Sequence, residues 1–160
     1  MGDAHGKLCA AAGVTLSLIL CSLHIEAMHI PEQLEVTERY CRLRVQGVLP
    51  LVEAVERVTH AIAFCRDQNI PKLLVDVTHL AQLPALTLVD RFLTVEDWAN
   101  EAKGIVIVAM VARPEHIHPE KFGVKLAADK GLRSDVFTSE HEAWQWLLAQ
   151  IQSRNGPPAA

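Results

Sequence analysis

The octapeptide LLVDVTHL, residues 73–80, closes an apolar run with an acid, a hydroxyl and an imidazole: Asp76, Thr78 and His79. These are the groups of nucleophilic hydrolysis, in which the imidazole takes the hydroxyl proton and the carboxylate orients the imidazole. That chemistry also needs donors for an oxyanion, yet the chain has no G-x-S-x-G elbow and no glycine-rich loop after any expected strand. The commoner use of these residue types at a strand end is local. Asp76 then accepts backbone N–H groups, Thr78 supports a turn, His79 is partly exposed, and Ser139 further on caps a helix. His116 and His118 form a His-x-His pair without a third ligand nearby, which fits a solvated loop better than a zinc set. Cys65 falls on the apolar stripe of an expected helix, the place of an inert core thiol. These residues point to a binding rim made of Asp76, Thr78, His79, Arg113 and Ser139. No catalytic residue, metal or cofactor is expected.

For those residues to share a rim, their strands must lie side by side and run the same way, because ligands gather outside the carboxyl ends of the strands of an open parallel sheet. The hydrophobic periods supply such strands. YCRLRVQG (40–47) alternates, with Cys41, Leu43 and Val45 on one face and Arg42, Arg44 and Gln46 on the other, so it belongs at or near a sheet edge. The short LEV before it can pair with it as a hairpin. From Leu51 the period becomes helical through Val55, Val58, Ile62 and Cys65, with Pro50 opening the helix and Asn69 and Pro71 closing it. KLLVDV and IVIVAMV (105–111) are unbroken apolar runs, as expected of interior parallel strands. Between them a helix is expected over 84–102, stopped by Gly104, and later one opened by Pro119 and ended by Gly131. A last strand, SDVF, leads to a helix in which Ser139 and Glu142 have capping-box spacing and Trp144, Leu147, Leu148 and Ile151 form the buried stripe. The order β(β)αβαβαβα predicts an α/β fold: a mainly parallel sheet of four to five strands with an antiparallel edge strand and helices on its faces.

Composition limits the function. With 160 residues, 50% of them hydrophobic and 21% charged, the chain suffices for one core. A net charge of −4 with scattered Lys and Arg leaves no basic stripe for a row of phosphates, so nucleic acid is excluded as a partner. Cys9, Cys21, Cys41 and Cys65 are too far apart for a C-x-x-C pair and are expected as reduced, mostly buried thiols. Residues 1–27 stand apart as a leader. LCAAAGVTLSLILC (8–21) has the length of a signal peptide but is too short for a comfortable membrane span, and neither processing site fits well. The alternatives are an export signal, an ordered N-terminal helix, or translation that begins at Met28 and leaves the protein in the cytoplasm. The domain is expected over 28–152 and a frayed tail over 153–160.

LLVDVTHL and the helix after it, GIVIVAMVA, and FGVKLAADKGLRSDVFTSEHEAWQWLL, taken with the element order, together resemble a STAS-like (anti-sigma-factor-antagonist-like) domain over residues 34–151. The similarity is to small stand-alone bacterial members. It implies a domain that is not an enzyme and that binds a regulatory partner, sometimes a nucleotide, under phosphoserine control in some members. Here the stretch after the strand is AQLPALT (81–87), without a serine. Thr78 and Thr87 are the nearest hydroxyls and lack the acidic-serine context, so the phosphoswitch does not carry over.

The helix over 84–102 has Leu86, Leu88, Val89, Phe92, Leu93, Val95 and Trp98 around too much of its circumference for one buried face. Leu88, Phe92 and Val95 are therefore expected on an association face for a protein partner or a second copy of the chain, with membrane or lipid contact less favoured. Two alternatives follow from other features. A carrier of small apolar ligands or lipids would need a closed apolar cavity. A small hydrolase would need Asp76, His79 and a hydroxyl within hydrogen-bond reach.

Overall fold

The computed structural model describes residues 31–154, with side chains to residue 150. The leader over 1–27, the start at Met28, Cys9, Cys21, the Ile151 side chain and the tail from 155 lie outside the described residues. The elements are β1 (Leu34–Val36), β2 (Cys41–Val48), α1 (Leu51–Asp67), β3 (Lys72–Ala81), α2 (Leu88–Ala102), β4 (Ile107–Val111), a 3-10 turn (Pro114–His116), α3 (Phe122–Asp129), β5 (Ser134–Phe137) and α4 (Glu140–Arg154). The protein is α/β. No helix among the described residues is long and apolar enough to cross a membrane.

The five strands follow the order β1-β2-β3-β4-β5, with β1 antiparallel to β2 and every later pair parallel. β1 and β2 form the expected hairpin, closed by Thr37, whose hydroxyl donates to the Tyr40 carbonyl at 2.8 Å and accepts the Tyr40 N–H at 3.1 Å. The two continuous apolar runs lie adjacent and parallel, Lys72 opposite Ile107 through Asp76 opposite Val111. The parallel strands follow one another in sequence order, so each crossover steps the same way and returns its helix to the same side. α1, α2 and α3 therefore share one face, where Val58, Ile62, Val95 and Ala127 pack on Leu43, Val75 and Val108. Among the described residues α4 alone covers the other face, packing Ala143 and Leu147 against Leu74, Ile107 and Ala109. This layering explains the alternation in β2. Cys41, Leu43 and Val45 enter the three-helix core, whereas Arg42 and Arg44 point to the side that α4 covers only in part.

Two helix starts and one buried stripe differ from those expected. α2 begins at Leu88, not Pro84, because Thr87 caps it: Thr87 accepts the Asp90 N–H at 3.1 Å while Asp90 accepts the Thr87 N–H at 2.9 Å. α3 begins at Phe122, not Pro119, because Lys121 is left-handed (φ 48°) with its ammonium 2.6 Å from Asp135, which breaks the helix before Phe122. The stripe of α4 is Ala143 and Leu147 flanked by Trp144 and Trp146, while Leu148 faces solvent.

Cys41 and Cys65 are free and fully buried, one on β2 and one on α1. The Cys65 thiol, hydrogen-bonded to Cys41 and shut away from water, is pushed well above the usual thiol range. Lys72 is also buried, beneath α4 with its ammonium 5.9 Å from the centre of the Trp144 ring. Burial, with Arg39 adding to it, lowers its affinity for a proton below that of an ordinary lysine.

Candidate functional site

β3 is longer than β4, and the site grows out of that mismatch. Asp76 pairs with Val111, the last residue of β4, so residues 77–81 have only β2 as a strand neighbour. Arg113, just beyond β4, takes over on the open side, its Nε–H donating to the Thr78 carbonyl at 2.8 Å. On the β2 side the register slips. Arg44 faces Asp76 but Gln46 faces His79, so β3 carries one extra residue.

Asp76 holds that bulge. Asp76 is 4% exposed, and one carboxylate oxygen, Oδ1, accepts the Thr78 N–H at 2.9 Å and the Thr78 hydroxyl at 2.6 Å. The side chain thus replaces the ladder partner that the bulge takes from Thr78. Its other oxygen lies 3.6 Å from Arg44 Nε and 3.6 Å from His79 Nδ1. Because of the extra residue, Asp76 and His79 share a sheet face although three positions apart. Beside them, Arg42 bonds Glu140 on α4 at 2.7 Å and lies 3.8 Å from Glu35 on β1. The result is a polar strip along β2 and β3 on the face that α4 leaves partly open.

Asp76, Thr78, His79 and Arg113 are thus brought together. Ser139 is not: it immediately precedes α4 after β5, its carbonyl accepts the Ala143 N–H at 3.1 Å, and among the described residues no hydrogen bond joins it to the other four. Among the described residues the strand order nowhere reverses, so the strands described do not open the crevice that such a reversal gives in other parallel sheets. Sequence reasoning missed Arg44 as a member of the site. Its signal was present, an arginine on the wet face of a strand that must lie beside the strand bearing Asp76.

Thr78 Oγ1 is 3.0 Å from His79 Nδ1, so acid, hydroxyl and imidazole meet the distance condition for a hydrolase. Their roles do not match. With the hydroxyl donating to Asp76, Thr78 Oγ1 bonds His79 Nδ1 only in the tautomer that carries its proton there, and both partners meet the same ring nitrogen. A triad requires the hydroxyl proton to point at the imidazole and the carboxylate to hold the opposite nitrogen. The cluster fixes backbone at Thr78 and presents a half-exposed imidazole beside two guanidinium groups. Thr87, the other candidate for phosphorylation, is engaged in the cap of α2. Its hydroxyl donates to Asp90 at 2.7 Å, and hydrogen bonds from its hydroxyl and backbone N–H hold the Asp90 carboxyl below the usual carboxylate range.

No protein-family model matches the chain, and no curated protein does.

The expected association face is partly redrawn. Leu88 is 54% and Phe92 39% exposed, but Val95 is 7% exposed and packs into the core, one helical turn nearer the sheet. Val89 at 65% and Leu93 at 54% take its place. The exposed cluster therefore occupies positions 88, 89, 92 and 93, a stripe along the first turns of α2 with i, i+1, i+4, i+5 spacing. Among the described residues, His, Cys, Asp and Glu side chains nowhere gather in threes that could hold a metal ion. His118 Nδ1 accepts the Glu120 N–H at 3.2 Å.

Proposed function

We propose that the protein is a STAS-like regulatory module that acts without catalysis by binding a protein surface through the first turns of α2, and that the surface is that of a second copy of the chain. The observation that carries this reading is the stripe of Leu88, Val89, Phe92 and Leu93 left open on a helix that already buries Val95 and Ala102. The stripe exposes apolar side chains on the order of 300–400 Å², the size of the largest apolar patch on a typical single-chain protein, which is often functional. Two such patches across a two-fold axis give an apolar centre of roughly 600–800 Å², enough for an interface of standard size once a polar rim surrounds it. A helix stripe is self-complementary about a two-fold axis, which makes the symmetric pair the simplest partner. The polar strip of Arg44, Asp76, His79 and Arg113 offers a second contact surface toward the same carboxyl end of the sheet.

Size-exclusion chromatography with light scattering on the full chain tests this. The wild type is expected at the mass of two chains. Leu93→Glu is expected at the mass of one, with an unchanged far-ultraviolet spectrum because Leu93 contributes little to the core. A wild-type protein that stays at the mass of one chain up to its solubility limit contradicts the proposal.

A further inference from the structure

A cavity of about 130 Å³ lies between the three-helix face of the sheet and the helices α2 and α3. Val77, Met110 and Trp98 give it a mostly apolar lining. Its volume is close to that of an engineered apolar cavity of about 150 Å³ that admits benzene. Arg91, His116, Lys121 and Asp135 also line it and add a polar side.

These polar groups are not equivalent. Lys121 is neutralised by Asp135 at 2.6 Å. Arg91 has no carboxylate partner among the described residues, and its Nη2 donates to the His116 carbonyl at 3.2 Å, which holds the two residues side by side. Arg91 Nε and His116 Nδ1 are both buried without a protein partner. A buried polar nitrogen without a partner is costly, and Arg91 and His116, each carrying one, both line this apolar cavity. An apolar pocket with a few convergent polar groups has the form of a small-molecule site.

We propose that this cavity binds a small organic carboxylate. The apolar body, of about benzene size, lies against Met110 and Trp98. The carboxylate oxygens accept hydrogen bonds from Arg91 Nε–H and from His116 in its Nδ1–H form. One guanidinium without a counter-ion suits a monoanion, and the geometry of carboxylate on guanidinium makes it a good match. The assignment does not depend on how the α2 stripe associates.

The full chain is titrated by calorimetry and by backbone amide NMR with benzoate, toluene, acetate and decanoate as probes. Benzoate is expected to bind and to shift amides of α2 and of residues 113–121. Toluene, which lacks the head, and acetate, which lacks the body, are expected at least about 10-fold weaker. Arg91→Gln is expected to weaken benzoate about 10–100-fold and to leave toluene unchanged. Thr94→Phe, which fills the cavity, is expected to abolish both. Equal affinity for benzoate and toluene overturns the anion site, and equal affinity for benzoate and acetate overturns the apolar one. Tighter binding of decanoate than of benzoate overturns the assignment of a small body, and no binding of benzoate overturns the whole. If Arg91→Gln fails to fold, the four probes on the wild type still decide.

Discussion

Replacing Asp76 by alanine should cost more than any other single change in the polar strip. The carboxylate is almost fully buried, accepts two hydrogen bonds from Thr78, and sits between Arg44 and His79. Hydrogen bonds to a charged group are worth about 1.5–3 kcal/mol each, and they are not additive. In Asp76→Ala the Thr78 hydroxyl, half-exposed, turns to water, and Arg44 recovers part of its hydration. The Thr78 N–H cannot, since the bulge keeps it off the ladder. A net loss of about 2–3 kcal/mol follows, or a fall in Tm of roughly 6–15 °C for a domain of this size. Asp76→Asn keeps one acceptor oxygen for Thr78 and gives up only the charge, so about half of that loss is expected. Urea titration of the three proteins, with slopes compared to exclude a changed unfolded state, measures the difference. Asp76→Ala within about 0.5 kcal/mol of the wild type would refute the claim that this carboxylate holds the bulge.

Other perturbations probe the elements around the strip. Thr87→Ala should destabilise the protein by about 1 kcal/mol at neutral pH through loss of the α2 cap, measured by thermal unfolding. Because hydrogen bonds from Thr87 depress the folded-state pKa of Asp90, this cap contributes fully above the ordinary aspartate pKa and is lost as pH falls through the lower folded value. The gap between the two proteins should therefore narrow below pH 3.8, the ordinary aspartate value. Lys72 has the opposite sign relation. Its folded pKa is depressed by burial, so the cost of its charge is fully present at neutral pH and is relieved as pH rises from the folded value toward that of a free lysine. Lys72→Met, which keeps packing against Trp144, should raise Tm at pH 7 by about 2–4 °C and remove the alkaline gain. Native protein treated with iodoacetamide should leave Cys41 and Cys65 unmodified by mass spectrometry until denaturant is added, as both are fully buried and the Cys65 thiol resists ionisation.

What the sequence made legible was whatever depends on period. The strict alternation of Cys41, Leu43 and Val45 against Arg42 and Arg44 is reproduced by a strand with one core face, and the runs around Val75 and Val108 became interior parallel strands. Helix starts were harder because two signals competed. Pro84 and Pro119 are good first-turn residues, but Thr87 with Asp90 forms a reciprocal cap, and the ion pair of Lys121 with Asp135 holds a left-handed residue before α3. The bulge at Thr78 depends on the register with β2, which no local pattern fixes, and with it came the membership of Arg44 in the site. The excess of apolar residues on α2 was visible, but the assignment of Val95 to the core and Val89 to solvent depends on where α1 and the sheet lie. The cavity beside Arg91 and His116 unites residues from three strands, two helices and two loops, and nothing in the order of the residues announces it.

The claim that the α2 stripe is an interface is tested most directly by methyl NMR of the full chain over a dilution series. The account predicts that the methyl signals of Leu88, Val89 and Leu93 move with concentration while those of Val75 and Val108 in the core stay fixed. Stripe signals that do not move across the whole series, with the protein at the mass of a single chain, would contradict it.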